Sequence, residues 1–264
     1  MTEEIISVKA EPKKRLSQNF LIAPEFPMEI AELLPLSGKK VLEIGAGTGL
    51  LTIELARHAR QVVAIEVDGD LEPELSERLG KFKNVKIVIA DAMSAKLSGF
   101  DCIFGALPYH LSSPLLFRIL ESGVSNAVVV VQHEFGERLA AAPGTKDWSR
   151  LSAMVQADYG ATVVDVIPAG CFYPKPEVDS AIVHLARKPA SGRVVLDASL
   201  MAALFQHKNQ SVRKALLHSG RTLGKDRTAL AHFANSLSPG LSSKRPRILS
   251  LDELCELSRL FKAA

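Results

Sequence analysis

Cysteine is scarce in this chain. Cys102, Cys171 and Cys255 are its three copies in 264 residues. They lie too far apart for a disulfide framework or for the close-spaced ligand pairs of a metal cluster, so no metal is expected. No apolar run approaches the roughly 18 residues that a membrane span needs. The N-terminus, Met1-Thr2-Glu3-Glu4, is acidic and lacks the layout of a signal peptide. No segment repeats and no tract is of low complexity. These absences predict a protein of a reducing cytoplasm, without membrane or metal partners.

What is present is ordinary in bulk: 47% apolar and 23% charged residues. The length suffices for a large α/β core and a smaller unit. The net charge of +3 conceals an asymmetry. Residues 191–264 carry 12 Lys/Arg and 5 Asp/Glu, a net of +7, while residues 1–190 carry 20 and 24, a net of −4. A basic appendage on an acidic body suggests a polyanionic partner. Lys13-Lys14-Arg15 adds a basic patch near the N-terminus.

Strand-like runs recur at Lys40–Ile44, Gln61–Ile65, Val85–Ile89, Cys102–Gly105 and Ala127–Gln132, with amphipathic stretches such as Leu50–Ala59 and Ser113–Leu120 between them. That alternation predicts βαβ units and a parallel sheet. Thr162–Ile167 and Ser180–Ala186, joined without a helix, read as an antiparallel edge pair. From about Pro189 the pattern turns helical, with runs at Ala198–Gln206, Ser211–Ser219 and Leu251–Phe261.

The most specific local feature is Val41-Leu-Glu-Ile-Gly-Ala-Gly-Thr-Gly49, a strand entering a glycine-rich turn. Glycines there allow φ > 0 and a close approach of backbone to ligand. Glu66 follows Gly45 by 21 positions, where an acid at the end of the next strand can accept from ribose hydroxyls. The dinucleotide fingerprint needs its third glycine at position 50, which is Leu, and Glu43 would sit badly beside a pyrophosphate. The G-x-G-x-G form instead resembles the S-adenosylmethionine (SAM) loop of class I methyltransferases. Asp91-Ala92, after the third strand, stands where such folds place an acceptor for the adenine amine.

Ala106-Leu107-Pro108-Tyr109 follows the fourth strand, where ligand crevices open in this kind of sheet. A Pro-Tyr turn can offer carbonyls and an aromatic face together, a combination suited to a flipped-out base. Phe172-Tyr-Pro-Lys-Pro-Glu-Val-Asp-Ser180 is a stiff loop whose Phe172 or Tyr173 could form the opposite wall.

Gln18-Asn-Phe-Leu21, the glycine loop, Leu107-Pro-Tyr-His-Leu-Ser-Ser-Pro114, Gln132-His-Glu134, the Phe172–Ser180 loop, Leu204–Leu216 and Arg245–Leu251 occur in one order. As a set, from about residue 13 to the end, they resemble the ribosomal RNA adenine dimethyltransferase family. The resemblance implies an α/β class I SAM-methyltransferase (Rossmann-like) sheet with an antiparallel edge pair, plus a small all-helical C-terminal domain. It divides the chain into a basic segment at 1–22 closing over the cofactor site, a methyltransferase domain at 23–188 and an RNA-binding domain at 189–264.

The implied reaction places two methyl groups on N6 of each of two adjacent adenosines, in a hairpin near the 3′ end of small-subunit ribosomal RNA. The substrate would be that RNA or an assembling small subunit, and the enzyme a monomer. Asn19 and Leu21 would close over SAM. Gly45 and Gly47 would admit its methionine end, Glu66 would hold the ribose, and Asp91 with Ala92 the adenine. The target base would lie between Tyr109 and Phe172, its amine oriented by the Pro108 carbonyl in the Ala106–Tyr109 turn. Lys208, Arg213, Lys214 and Arg221 would grip phosphates.

The chain departs from the family pattern at Ala106, where the motif has Asn. The missing carboxamide would accept a second hydrogen bond from the target amine. Two alternatives therefore stand beside the enzyme: a catalytically weakened member acting as an RNA-binding assembly factor, and a methyltransferase of large-subunit rRNA.

Overall fold

The computed structural model describes residues 11–13 and 16–263. Lys14 and Arg15 of the basic patch lie outside the described residues. The chain forms two compact units. One takes in the described residues up to Gly136 together with Ala161–Arg187, and the other Glu137–Gly160 and the described residues from Lys188 on.

The strands are β1 (Phe20–Leu21), β2 (Lys40–Ile44), β3 (Gln61–Glu66), β4 (Val85–Ile89), β5 (Cys102–Ala106), β6 (Asn126–Gln132), β7 (Tyr159–Ile167), β8 (Phe172–Tyr173) and β9 (Ser180–Arg187). Seven of them make one sheet in the order β4-β3-β2-β5-β6-β9-β7. β4, β3, β2, β5 and β6 run parallel, and β9 is antiparallel to β6 with Gln132 opposite Ser180. Val41–Ile44 and Ala127–Val131 are buried throughout. Strands covered on both faces favour apolar residues at nearly every position, hence the apolar runs in the sequence, with Glu43 the exception in these two stretches.

Helices α1 (Glu25–Glu32), α2 (Leu50–His58), α3 (Glu72–Leu79) and α4 (Ser112–Glu121) belong to this unit. Ile30 of α1 and Leu51 and Leu55 of α2 pack with Val41, Val62, Phe104 and Val128 of the sheet. Leu75 and Leu79 of α3 pack in a second cluster with Ala64 and Phe20. The chain winds from β2 outward to β4 and returns to lay β5 on the other side of β2. The crevice outside the carboxyl ends of β2 and β5 is therefore the switch point of the sheet, the position at which such folds bind ligands.

Helix α5 (His133–Ala140) follows β6 and carries the chain into the second unit. There lie α6 (Arg150–Gln156), α7 (Ala198–Gln206), α8 (Val212–His218), α9 (Gly220–Leu223), α10 (Arg227–Ser236), α11 (Pro239–Ser242) and α12 (Leu251–Ala263). The unit takes in Glu137–Gly160, which a boundary at residue 188 assigns to the sheet domain. Trp148 and Ala153 explain this, because they are fully buried in the same apolar cluster as Leu204, Leu216, Leu230 and Leu254. Oxygens at the helix starts satisfy otherwise unpaired N–H groups: Asp197 accepts from Leu200 N at 2.8 Å and Asp226 from Ala229 N at 2.8 Å. No described helix is long and apolar enough to cross a membrane.

Candidate active site

The glycine loop leaves β2 with Gly45, Gly47 and Gly49 at φ of 79°, 55° and 83°. These left-handed values are open to glycine at little cost and to other residues rarely. A Cβ on Gly45 would stand 3.0 Å from the Ala106 carbonyl oxygen, and one on Gly47 3.3 Å from the Phe20 ring. Both lateral and local space thus demand glycine.

Glu66, at the end of β3 and 5% exposed, closes this loop with both carboxylate oxygens. Oε2 accepts from Gly47 N at 2.8 Å and Oε1 from Asp68 N at 2.9 Å. The acid expected to meet a ribose is therefore also the brace between two loops. Its remaining lone pairs stay available to a ligand.

A cavity of about 280 Å³ opens beside it. Gly45, Gly47, Glu66, Asp91, Ala92 and Ala106 border it, and so do Leu107, Pro108, Tyr109 and Phe172. Asn19 and Leu21 line it from the N-terminal side. Asp91 uses one oxygen to accept from Met93 N at 2.8 Å, ordering its own turn. Asn19 Nδ2 donates to the Ser17 carbonyl at 3.2 Å. The loop aromatics divide by strand alternation: Phe172 is buried against the cavity, while Tyr173 is 51% exposed and does not line it.

One assignment in the Ala106–Tyr109 turn changes. The Pro108 carbonyl already accepts from Leu111 N at 2.9 Å and from the Ser112 hydroxyl at 3.2 Å. A carbonyl has two lone pairs, so it is poorly placed to orient a substrate amine. Among the described residues the Leu107 carbonyl has no such bond, while Leu107 N is held by the Val130 carbonyl at 3.0 Å. The free acceptor of the turn is one residue earlier than the sequence reading placed it.

The cavity also contains groups that the sequence reading did not assign. Glu43, in the middle of buried β2, is 1% exposed, and its Oε2 has no hydrogen-bond partner among the described residues. Burial pushes its carboxyl up to about 8, the Thr52 hydroxyl pulling down and the Glu66 charge adding to the rise. Tyr109 Oη lies 2.8 Å from Ser180 Oγ, and both side chains border the cavity.

Leu16–Leu21 form a strap along one side of the same cavity. Phe20 and Leu21 pair with Tyr173 and Phe172, and Ile22 N donates to the Cys171 carbonyl at 2.9 Å. At the other end Lys13 Nζ binds Asp68 at 2.5 Å and also meets Asp70. Gln18 Nε2 donates to Asp68 at 2.8 Å. Burial raises the Asp68 carboxyl, but the bonds from Lys13 and Gln18 outweigh it and hold it below the usual range. Lys13, read as part of a patch for a polyanion, is thus spent on an internal ion pair. Asp68 stands two residues after Glu66, and that spacing was the only trace of this in the sequence.

In the second unit α8 carries Arg213 and Lys214 and α9 carries Arg221, all exposed. Arg213 bonds the Asn235 side chain. Lys208 is half-buried, with Nζ 3.4 Å from the Lys146 carbonyl.

A doubly wound sheet, a three-glycine loop at its switch point and a carboxylate bracing that loop define a class I SAM-dependent methyltransferase. Within that class, the chain belongs to the ribosomal RNA adenine dimethylase family, which it matches over residues 9–236. It is 39% identical over 254 residues to a probable ribosomal RNA small subunit methyltransferase A of Thermococcus gammatolerans, covering 96% of this chain and 90% of that one. The similarly named protein of Pyrococcus furiosus is 38% identical over 253 residues, covering 95% and 92%. Among solved structures, a dimethyladenosine transferase from Plasmodium falciparum has a TM-score of 0.75 at 26% identity, over 91% of this chain and 95% of that one. The 23S rRNA methyltransferase ErmE has a TM-score of 0.67 at 29% identity, over 91% and 100%.

The residues present fit SAM. A Cβ on Gly45 or Gly47 would crowd Ala106 or Phe20, both of which line the cavity, so the glycines let the loop close on it. Among the described residues one Glu43 oxygen in the cavity wall is buried without a partner, which a polar group of a ligand would satisfy.

Proposed function

We propose that this chain dimethylates N6 of two adjacent adenosines in a hairpin near the 3′ end of small-subunit ribosomal RNA. One observation carries the reading: the Leu107–Tyr109 turn and Phe172 border the same cavity as the glycine loop and Glu66. A base extruded from its stack can thus reach the cofactor's reactive end. When bound, SAM supplies an electrophilic methyl group on a sulfonium centre.

The chain's own task is orientation. The adenine N6 lone pair is delocalised into the ring, so the amine is a poor nucleophile. It needs in-line placement within roughly 3–3.5 Å and one or more acceptors that turn its protons aside. The Leu107 carbonyl is one acceptor. Tyr109 and Phe172 hold the ring plane. Glu66 fixes the nucleoside end of the cofactor, and Asp91 the adenine. Lys208, Arg213, Lys214 and Arg221 hold phosphates of the RNA. The small-subunit substrate is the one in the names of the archaeal relatives.

Ala106 favours a second reading, a slow family member that serves chiefly as an RNA-binding assembly factor. Transfer of labelled methyl groups from SAM to unmethylated small subunits decides between them, with large subunits as a control. Dimethyladenosine in small-subunit RNA supports the enzyme. RNA binding without transfer supports the assembly factor, and label only in large subunits moves the target.

A further inference from the structure

Ser180 takes no part in the chemistry above, yet its hydroxyl is fully buried at the wall of the substrate cavity. It opens β9, where its backbone is paired with Gln132 of β6. Its position is therefore set by the sheet. The Tyr109 ring, by contrast, sits on a short turn beyond β5 and could pivot about two side-chain bonds. The one side-chain hydrogen bond of Tyr109 among the described residues joins its Oη to Ser180 Oγ at 2.8 Å. A ring pinned at its far end by a group in the sheet cannot swing about its first side-chain bond without breaking that hydrogen bond, and rotation about the second is opposed by the in-plane preference of the phenol O–H.

We propose that Ser180 is a positioning residue for methyl transfer. By holding the Tyr109 hydroxyl it fixes the position of the ring on which the target adenine stacks. This rests on the reading that the adenine enters this cavity. The demand is greater here than with a carboxamide at position 106. Ala106 supplies no second acceptor, so the stacked ring must set more of the amine's orientation.

The test uses the full chain and a hairpin RNA with 2-aminopurine at the target adenosine, alongside methyl transfer to small subunits. Ser180→Ala and Tyr109→Phe remove the same hydrogen bond while leaving a ring in place. Each should lower kcat by about 5- to 20-fold. Each should also weaken the stacking quench of 2-aminopurine, with RNA affinity and S-adenosylhomocysteine affinity unchanged. The double variant should be no worse than either single one, because only one bond is lost. Ser180→Thr keeps a hydroxyl and should restore both signals.

Full quench and full kcat in Ser180→Ala overturn the proposal, as does a double variant whose losses multiply. Weakened S-adenosylhomocysteine binding in Ser180→Ala also overturns it, because the residue would then be supporting the whole cavity. If the unaltered chain neither quenches the probe nor transfers methyl, the substrate reading falls and takes this one with it. Normal signals from the unaltered chain with an indifferent Ser180→Ala remove Ser180 alone.

Discussion

Replacing Glu66 by Gln tests whether this carboxylate braces the cofactor loop. Both of its oxygens already accept a backbone N–H, from Gly47 at 2.8 Å and from Asp68 at 2.9 Å. A glutamine has one acceptor oxygen and one NH₂ that can only donate. Whichever way the amide turns, one of the two N–H groups faces another donor. At a position only 5% exposed, water cannot easily take over. A buried donor without an acceptor costs about 1–3 kcal/mol, and the loss of a charged acceptor adds to it. If Gly47 swings away, the cost falls on ligand binding, at about 5- to 150-fold in Kd for that range. If the loop stays in place, the cost falls on folding, and the melting temperature drops by about 2–4 °C per kcal/mol.

Calorimetric titration with S-adenosylhomocysteine, paired with thermal melts of the free chain, captures both outcomes. Glu66→Ala is the contrast. It opens space for water at the two N–H groups but removes the proposed acceptor for the ribose, so it should bind worse while melting no lower than Glu66→Gln. A Glu66→Gln chain unchanged in both binding and melting temperature would refute the double role.

Ala106→Asn should raise the methyl transfer rate by about 10²- to 10³-fold, the scale of one hydrogen-bonding group in a closed site; an unchanged single-turnover rate would mean that the Leu107 carbonyl and stacking suffice. The Glu43 carboxyl keeps its proton in the folded chain up to about 8, whereas unfolded it ionises near its ordinary 4.5. The unfolded chain thus binds fewer protons between those values, so this group's stabilisation, full below the lower value, is lost as pH rises through the upper one. Glu43→Gln, which never ionises, should flatten that decline in melts across the range, and a decline as steep as in the unaltered chain would sink the assignment. Asp68→Asn should loosen the strap tied by Lys13 and Gln18 and speed S-adenosylhomocysteine release by about 3- to 10-fold; stopped-flow release at the unaltered rate would show that the strap does not gate the site. Lys214→Ala should make the fall of RNA affinity with salt shallower by about one unit of slope, and an unchanged slope would remove Lys214 from the phosphate contacts.

Which of these features could be read from the sequence follows from how local their causes are. Parallel strands buried on both faces write themselves as apolar runs, and β2, β3, β4, β5 and β6 fall on the expected stretches to within a residue or so at each end. Helices α7, α8 and α12 were visible by their periodicity. Helix α10 was passed over although Asp226, Leu230, Phe233 and Ala234 carry both a cap and an apolar stripe. The two-residue strands β1 and β8 had no such chance, since two residues have no period. The allegiance of Glu137–Gly160 was hidden for a different reason. Trp148 reveals its unit only by what surrounds it, and apart from Ala153 the buried residues of its cluster come 50 or more positions later in the chain.

The site divides along the same line. Motif residues name the chemistry, because a glycine, an acid or a Pro-Tyr turn has few uses at the end of a strand. What they cannot name is which atoms are already engaged. The Pro108 carbonyl was the natural acceptor until Leu111 and Ser112 were found on it. Lys13 was a free cation until Asp68, 55 positions away, was found beside it. Ser180 was the last letter of a loop until its hydroxyl was found on Tyr109, 71 positions away. The last two are long-range pairings and the first is a local one that no pattern announces, and each shifts a role by one group. Ala106 is the reverse case. Its sequence shows what is missing, and only the surrounding geometry shows what is left to do the work: one free carbonyl at Leu107, and a tyrosine ring held from the far side of the cavity by the sheet.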